Sequence, residues 1–282
     1  MIVYKSIQEF LSWRATKKNG SIGFVPTMGA LHPGHLSLIK NSKQLCQNTV
    51  VSIFINKLQF APEEDFDNYP RTIDDDLKNL ALLEVDVVLI PSSKEMYLKS
   101  FSFSVYESII SQKLEGLSRP GFFTGVTTVV SKLFNIVQPS HSFFGMKDIQ
   151  QLVIIKNLVK DLNYNIQIIG CETVREKNGL AMSSRNQYLS KQEQEEASVL
   201  YQVLVVGKNL IKKKNTPCEI IKKKLKKTLQ INKNITLDYL SIAHLNTFEE
   251  LEGLIININK IVVSGAIYLN KVRLIDNIVI NE

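Results

Sequence analysis

The sequence predicts an α/β fold, a doubly wound parallel sheet of Rossmann-like type followed by a smaller α+β domain. Three observations carry this. Short β-branched runs without polar alternation recur at 22–25, 50–55 and 85–90, and read as strands buried on both faces. Amphipathic stretches of helical period lie between them, which is the alternation of a parallel sheet. Past about residue 190 the pattern changes to two lysine-rich helices and then three strands. The domains are accordingly placed at 1–180 and 181–282.

In order, 6–18 reads as a helix with Ser6 as N-cap and Glu9 three later, ended by Asn19-Gly20. The strand at 22–25 runs into a turn with Pro26 and Gly29, and a helix from His35 to about Leu45 follows. The strand at 50–55 opens onto a loop at 56–71. A helix at 72–83 carries Asp74, Asp75 and Asp76 in its first turn, where acids suit the macrodipole, with a role near a metal ion as the alternative. Residues 101–106 alternate like a strand of a flanking sheet. In 125–138, Val126, Val129, Val130, Leu133, Phe134 and Val137 keep a helical stripe. A short strand at 142–144 meets Gly145-Met146-Lys147-Asp148, and a helix at 148–162 has Gln150 and Gln151 in its first turn. A strand at 165–171 and a polar loop at 174–190 complete this half. Helices at 191–213 and 217–231 and strands at 237–243, 261–269 and 272–280 form the rest.

Composition bounds the function. The 282 residues, 44% hydrophobic, can build a sizeable core. No run approaches the ~18 apolar residues of a membrane span, so no membrane is expected. The opening Met1-Ile2-Val3-Tyr4-Lys5 has no secretory apolar core, and three scattered cysteines fit reduced thiols, so a cytoplasmic enzyme is expected. The net charge of +7 gathers at Lys212–Lys214, Lys222–Lys224, Lys226 and Lys227. That is either a nucleic-acid surface or a solvated helix face. Aromatic residues are not interleaved with it, so the solvated face is preferred and no nucleic acid is expected.

The chemistry centres on the loop after the first long strand, Met28-Gly29-Ala30-Leu31-His32-Pro33-Gly34-His35. A strand, a turn and a helix N-terminus are a phosphate-binding context. Two histidines three apart can face one side and donate to phosphate oxygens. Gly34 lets a ligand approach the backbone. Three further loops carry polar residues past strand ends: Asn56 and Gln59; Lys147, Asp148 and Gln151; Ser183, Ser184 and Arg185. Lys147 and Arg185 are cations for phosphates. The amides Asn56, Gln59 and Gln151 can read a small substrate without adding charge. No nucleophile is paired with a base, so positioning and charge stabilisation are expected to do the chemistry.

The run 26–35, Gln59-Phe60, Glu64-Asp65-Phe66, Tyr69-Pro70-Arg71, Lys132-Leu133-Phe134-Asn135, Lys147-Asp148 with Gln150-Gln151, and the run 179–186 resemble the pantoate–β-alanine ligase family. The likeness spans essentially the whole chain and is densest over 22–190. It implies ATP-dependent condensation of (R)-pantoate with β-alanine to pantothenate through a pantoyl adenylate, with AMP and pyrophosphate released. By resemblance, Met28 to His35, Gly145 to Asp148, Val174 and Met182 to Arg185 line the ATP site, and His35, His32, Lys147 and Arg185 are catalytic. Gln59 and Gln151 hold pantoate, Gln59 also lies near β-alanine, and Asn56 joins them. Mg²⁺ rides on the phosphates with no protein metal site of its own. The second domain closes as a lid, and the assembly is a homodimer. Four departures stand out: Lys57 where the family has Pro, Phe122 for His, Thr124 for Arg and Met146 for Glu. The alternative is another HxGH adenylyl or cytidylyl transferase with a different acceptor.

Overall fold

The computed structural model describes residues 1–17, 20–61, 64 and 66–281. Its elements run β1 (Ile2–Tyr4), α1 (Ile7–Thr16), β2 (Ile22–Thr27), α2 (Pro33–Leu45), β3 (Asn48–Ile53), α3 (Ile73–Leu82), β4 (Val87–Leu89), α4 (Ser93–Met96), α5 (Glu115–Ser118), α6 (Phe122–Val137), β5 (His141–Gly145), α7 (Ile149–Asp161) and β6 (Gln167–Cys171). They continue as α8 (Lys191–Ala197), α9 (Val199–Lys212), α10 (Cys218–Leu229), β7 (Ile235–His244), β8 (Ile261–Leu269) and β9 (Val272–Ile280). The expected end of the first helix at Lys18 and Asn19 lies outside the described residues. No helix among them is long and apolar enough to cross a membrane.

The fold class is the one the periodicity predicts. β1 to β6 form one parallel sheet in the order β1-β4-β3-β2-β5-β6. The order reverses at β2, so the loops leaving β2 and β5 start from neighbouring strands at the crevice where such sheets take ligands. Val25, Val51, Ile53 and Val88 pack against Leu38, Ile39 and Leu80 of α2 and α3, with Phe143 from β5 in the same cluster. β7, β8 and β9 form a separate antiparallel sheet. Leu200, Val203 and Leu204 of α9 and Ile221, Leu225 and Leu229 of α10 cover it. Gly207 admits the approach of α9, since a Cβ there would meet Leu225 Cδ1 at 2.9 Å.

Two compact units emerge, one of residues 1–112, 119–146 and 154–172, the other of 113–118, 147–153 and 173–282. The second unit thus begins ahead of residue 181 and takes two short inserts. Gln150 explains the inserts: its Oε1 accepts from Glu115 N (3.1 Å) and its Nε2 donates to Lys113 O (2.7 Å). Arg273 completes them with a bidentate pair to Glu115, at 2.9 and 2.8 Å, and bonds to Asp238 at 3.0 and 2.6 Å.

Two expectations are corrected. Residues 101–106 are not a strand: they find no strand partner, and Val105 N and O instead bond the Oγ1 atoms of Thr128 (2.9 Å) and Thr127 (2.6 Å) on α6. The helix expected at 191–213 is two helices. Ser198 turns its hydroxyl back onto Glu195 O (2.7 Å) and interrupts the ladder between α8 and α9. On α10, Lys223, Lys224, Lys226 and Lys227 are exposed, and Lys222 pairs with Glu250 at 2.9 Å.

Candidate active site

In the first unit the histidine loop is built from its own atoms outward. Thr27 ends β2, donating to Ser52 O (2.8 Å) and accepting from Gly29 N (3.2 Å). Gly29 (φ +83°) and Ala30 (φ +50°) then both take the left-handed conformation. That conformation is strained for alanine. It is repaid at once, because Ala30 N and Leu31 N donate to the two carboxylate oxygens of Asp76 at 2.9 and 2.8 Å. Asp76 is 2% exposed. An acid in the first turn of α3 suits the macrodipole or a place near a metal ion; here the carboxylate is the anchor of this loop.

His32 is the N-cap of α2, with Pro33 at its first position. The helix therefore begins two residues ahead of His35. His32 Nδ1 accepts from Gly34 N (3.1 Å), and His35 Nδ1 accepts from His32 N (3.4 Å). The rings lie 4.0 Å apart between centroids. With Nδ1 accepting, a neutral ring at either position carries its proton on Nε2. The first amides of the helix are thereby already capped: the His32 ring takes Gly34 N and the backbone of His35, and Leu36 N donates to His32 O at 3.1 Å.

The amide loop in the same unit is a 3-10 turn at Lys57–Gln59. Asn56 is 1% exposed and has all its capacity in use. Its Oδ1 accepts from Tyr97 Oη (2.8 Å) and Leu58 N (3.4 Å), and its Nδ2 donates to Gln59 Oε1 (3.1 Å) and Gly125 O (3.0 Å). It frames Gln59. Gln59 Nε2 reaches Met28 Sδ at 3.0 Å, which joins this loop to the histidine loop. Gly125 permits the packing, since a Cβ there would stand 2.2 Å from Leu58 O. Arg119 braces the turn by donating to Glu64 (2.7 and 2.6 Å) and to Gln59 O (3.3 Å). Its guanidinium stacks 3.7 Å from the centre of the Phe122 ring. Lys57 is exposed with its Nζ 5.7 Å from the centre of the Phe66 ring. Gly145 ends β5 and Met146 opens the 3-10 turn that follows, both in this unit, and Thr124 lies in the first turn of α6.

The second unit holds the other half of the predicted set. Lys147 and Asp148 lie in a 3-10 turn ahead of α7, their charges 4.0 Å apart. Gln151 is half-buried beside the fully committed Gln150. Val174 and Met182 are brought together by a hairpin: Met182 N donates to Val174 O (3.0 Å), and Arg175 bridges to Ala181. Gly179 (φ +95°) makes its turn. Ser183 then caps a 3-10 turn at Ser184–Tyr188 by accepting from Arg185 N (3.3 Å), with Ser184 buried. Arg175 carries the hairpin onto β9, donating to both oxygens of Asp276, while its guanidinium lies 3.8 Å from the centre of the Tyr201 ring. Burial pushes the Asp276 carboxyl up, and the Arg175 hydrogen bonds and charge oppose that push. The residues that sequence reasoning missed are Asp76, Arg119, Arg175, Asp276 and Asn277. Of these only Asp76 gave a local signal, as a charge in the first turn of a helix.

Comparison with known proteins is uniform along the chain. A family profile described as pantoate-beta-alanine ligase matches residues 2–279. Pantothenate synthetases of Caldicellulosiruptor bescii and Acetivibrio thermocellus are 46% and 45% identical, over 99% of this chain and 99% of their own. Among solved structures, pantothenate synthetase from Thermus thermophilus superposes with a TM-score of 0.92 at 36% identity, covering 99% of each chain. Pantoate-beta-alanine ligase from Francisella tularensis, complexed with beta-gamma ATP and beta-alanine, gives 0.81 at 38% identity, over 99% of this chain and 97% of that one.

Proposed function

The chain belongs to the pantoate-beta-alanine ligase family, and from that premise we propose how its residues carry the ATP-dependent condensation of pantoate with β-alanine to pantothenate. The observation that carries the reading is the pair of Nδ1-fixed histidines at the start of α2, in a chain matched to the family over 2–279.

In the first step a pantoate carboxylate oxygen attacks the α-phosphorus of ATP. The bond from that phosphorus to the bridging oxygen breaks, and pyrophosphate leaves with the electron pair. Charge builds on the leaving phosphates, and donors already in place stabilise it without reorganisation. His32 and His35 supply Nε2–H groups there, with His35 as the principal donor by the family resemblance. Lys147 and Arg185 add fixed positive charge, and Ser183 and Ser184 hold phosphate oxygens. ATP enters as its magnesium complex, the cation riding on the phosphates. Among the described residues no three His, Cys, Asp or Glu side chains gather to hold a metal.

Gln59 and Gln151 bind pantoate through neutral amides, which leaves the carboxylate its nucleophilic charge. Asn56 acts through Gln59, whose Oε1 it holds. In the second step the free amine of β-alanine attacks the acyl carbon of pantoyl adenylate. The carbon–oxygen bond to AMP breaks, and the ammonium proton is lost as the amide forms. Val174, Met182, Gly145 and Met146 line the nucleotide, and Asp148 stands beside Lys147. A cytoplasmic setting fits a reaction that consumes ATP, and the family resemblance implies a homodimer, which light scattering returning the mass of one chain would exclude.

The test is pyrophosphate release from ATP and Mg²⁺ with and without pantoate, followed by β-alanine. The expected result is release that requires pantoate and turns into AMP and pantothenate formation. Release driven equally by unrelated carboxylic or phosphorylated acceptors would assign the chain to a different transferase.

A further inference from the structure

Two consecutive residues of β9 each hold one of the loops that bear the second unit's cations. Asp276, 4% exposed, receives both terminal nitrogens of Arg175, at 2.6 and 3.0 Å. Arg175 lies next to Val174 in the hairpin whose two arms are tied by Met182 N to Val174 O. Whatever fixes Arg175 therefore fixes Val174 and the Met182–Arg185 run that follows. Asn277, 6% exposed, donates from Nδ2 to the main-chain carbonyl of Lys147 at 2.7 Å. The two are themselves joined, since Asn277 N donates to Asp276 Oδ1 at 2.7 Å. Across the sheet they face Gly265 and Ser264 of β8, which offer neither an acid nor an amide as partner. A carboxylate and an amide buried in the last strand thus reach out with their side chains to two distant loops. Buried polar groups are tolerated where they are satisfied, and here the loops do the satisfying.

We propose that Asp276 and Asn277 are a positioning pair for adenylate formation: Asn277 fixes Lys147 through its carbonyl, and Asp276 fixes the run ending at Arg185 through Arg175. Neither residue touches a substrate. Both act by holding other groups near productive geometry, where small displacements cost large factors in rate. The proposal rests on the reading of Lys147 and Arg185 as ligands of the ATP phosphates. It goes beyond that reading by assigning the strand at the far end of the chain to the first half-reaction and not to the second.

The decisive experiment is Asn277→Ala in the full-length protein, assayed by pantoate-dependent exchange of pyrophosphate into ATP. We expect kcat/KM for ATP to fall by about tenfold or more, while KM for β-alanine in the overall reaction stays within about twofold of the wild type. Thermal melting checks that the variant is folded. A double-mutant cycle separates positioning from general structural damage. In a Lys147→Ala background the same Asn277→Ala change is expected to cost less than about twofold, because the group it positions is already gone. Exchange within twofold of wild type in the folded variant overturns the proposal. So does an equal tenfold loss in the Lys147→Ala background. If Asn277→Ala does not fold, Arg175→Lys tests the other arm: it keeps the charge but loses the fork, and is expected to raise KM for ATP and leave KM for β-alanine alone. An unchanged KM for ATP in that variant counts against the pair. Wild-type protein without any pantoate-dependent exchange would overturn the ligase reading itself, a separate failure.

Discussion

The loop that presents the histidines and the loops that present Lys147 and Arg185 are stabilised in opposite ways. In the first, each imidazole is set by a backbone amide two or three residues away. One buried carboxylate, 45 and 46 residues distant, holds the two amides just before them. In the second, the hairpin and the lysine turn depend on β9, whose Asp276 and Asn277 stand 101 and 130 residues from Arg175 and Lys147. The donor groups that must be exact to fractions of an ångström are set by short-range covalent geometry. The cations, which act as charges over a longer range, hang from a frame contributed by another part of the chain. Local geometry survives changes elsewhere in the molecule, whereas a remote frame can be moved as one piece.

The largest test is His35→Ala. Removing the main donor to the leaving phosphates is expected to lower the rate of pantoate-dependent pyrophosphate release by roughly 10²- to 10⁴-fold. The melting temperature is expected to change little, because the cap bond it removes is long, at 3.4 Å. A loss under tenfold would mean that the local loop is not where the charge is stabilised. Next in size is Asp76→Ala, which probes the one remote dependence of that loop. It leaves two amides without their acceptor in a buried setting, at about 1–3 kcal/mol each. We expect destabilisation of about 2–4 kcal/mol together with a marked loss of rate. Asp76→Asn, which keeps one acceptor, should fall between. Chemical denaturation with intact activity would show that the histidine loop stands without its anchor and would sharpen the contrast further.

That contrast also governs what could be read in advance. The strand, turn and paired histidines were legible because their information lies within about fifteen consecutive residues, where spacing maps directly onto geometry. The parallel sheet was legible for a related reason, since unbroken apolar runs such as 50–55 have nowhere to go but the interior. Asp76 was seen but misassigned: an acid in the first turn of α3 satisfies the macrodipole whether or not it reaches a loop 45 residues back. Residues 101–106 alternate as a strand does, yet a strand needs a neighbour, and the Thr127 and Thr128 hydroxyls took its place. Asn56 was picked out as an amide beside Gln59, but nothing local says that Tyr97 and Gly125 use up its bonds. Asp276 and Asn277 gave no signal at all, because their meaning is a pairing across more than a hundred residues.

A mid-sized test acts on the remote frame through its turn. Gly179 has φ +95°, and a Cβ there would stand 2.5 Å from Tyr201 Cδ1. Gly179→Ala therefore combines backbone strain with a push on the ring against which Arg175 lies. The expected cost is about 1–3 kcal/mol of stability. Affinity for ATP should weaken several-fold, with pantoate affinity unchanged. If pantoate weakens as much as ATP, the hairpin serves both substrates and the division drawn above is too sharp.

The smallest effect is expected in the loop of Gln59, which mixes the two strategies. Asn56 holds it locally, and Arg119 grips its carbonyl from 60 residues away. Phe122 stands where the family commonly has histidine, and its ring stacks on the Arg119 guanidinium at 3.7 Å. A cation over an aromatic face at a half-buried site contributes about 0.5–1 kcal/mol. A neutral imidazole keeps much of that stacking, and Glu64 still holds the same guanidinium through two bonds. Phe122→His is therefore expected to change KM for pantoate by less than about threefold, with stability lowered by less than about 1 kcal/mol. A larger gain in activity would show that the phenylalanine removes a substrate contact. A larger loss would show that the stack, more than the ion pair to Glu64, keeps Arg119 on the Gln59 carbonyl, and would move this loop to the remotely framed side of the comparison.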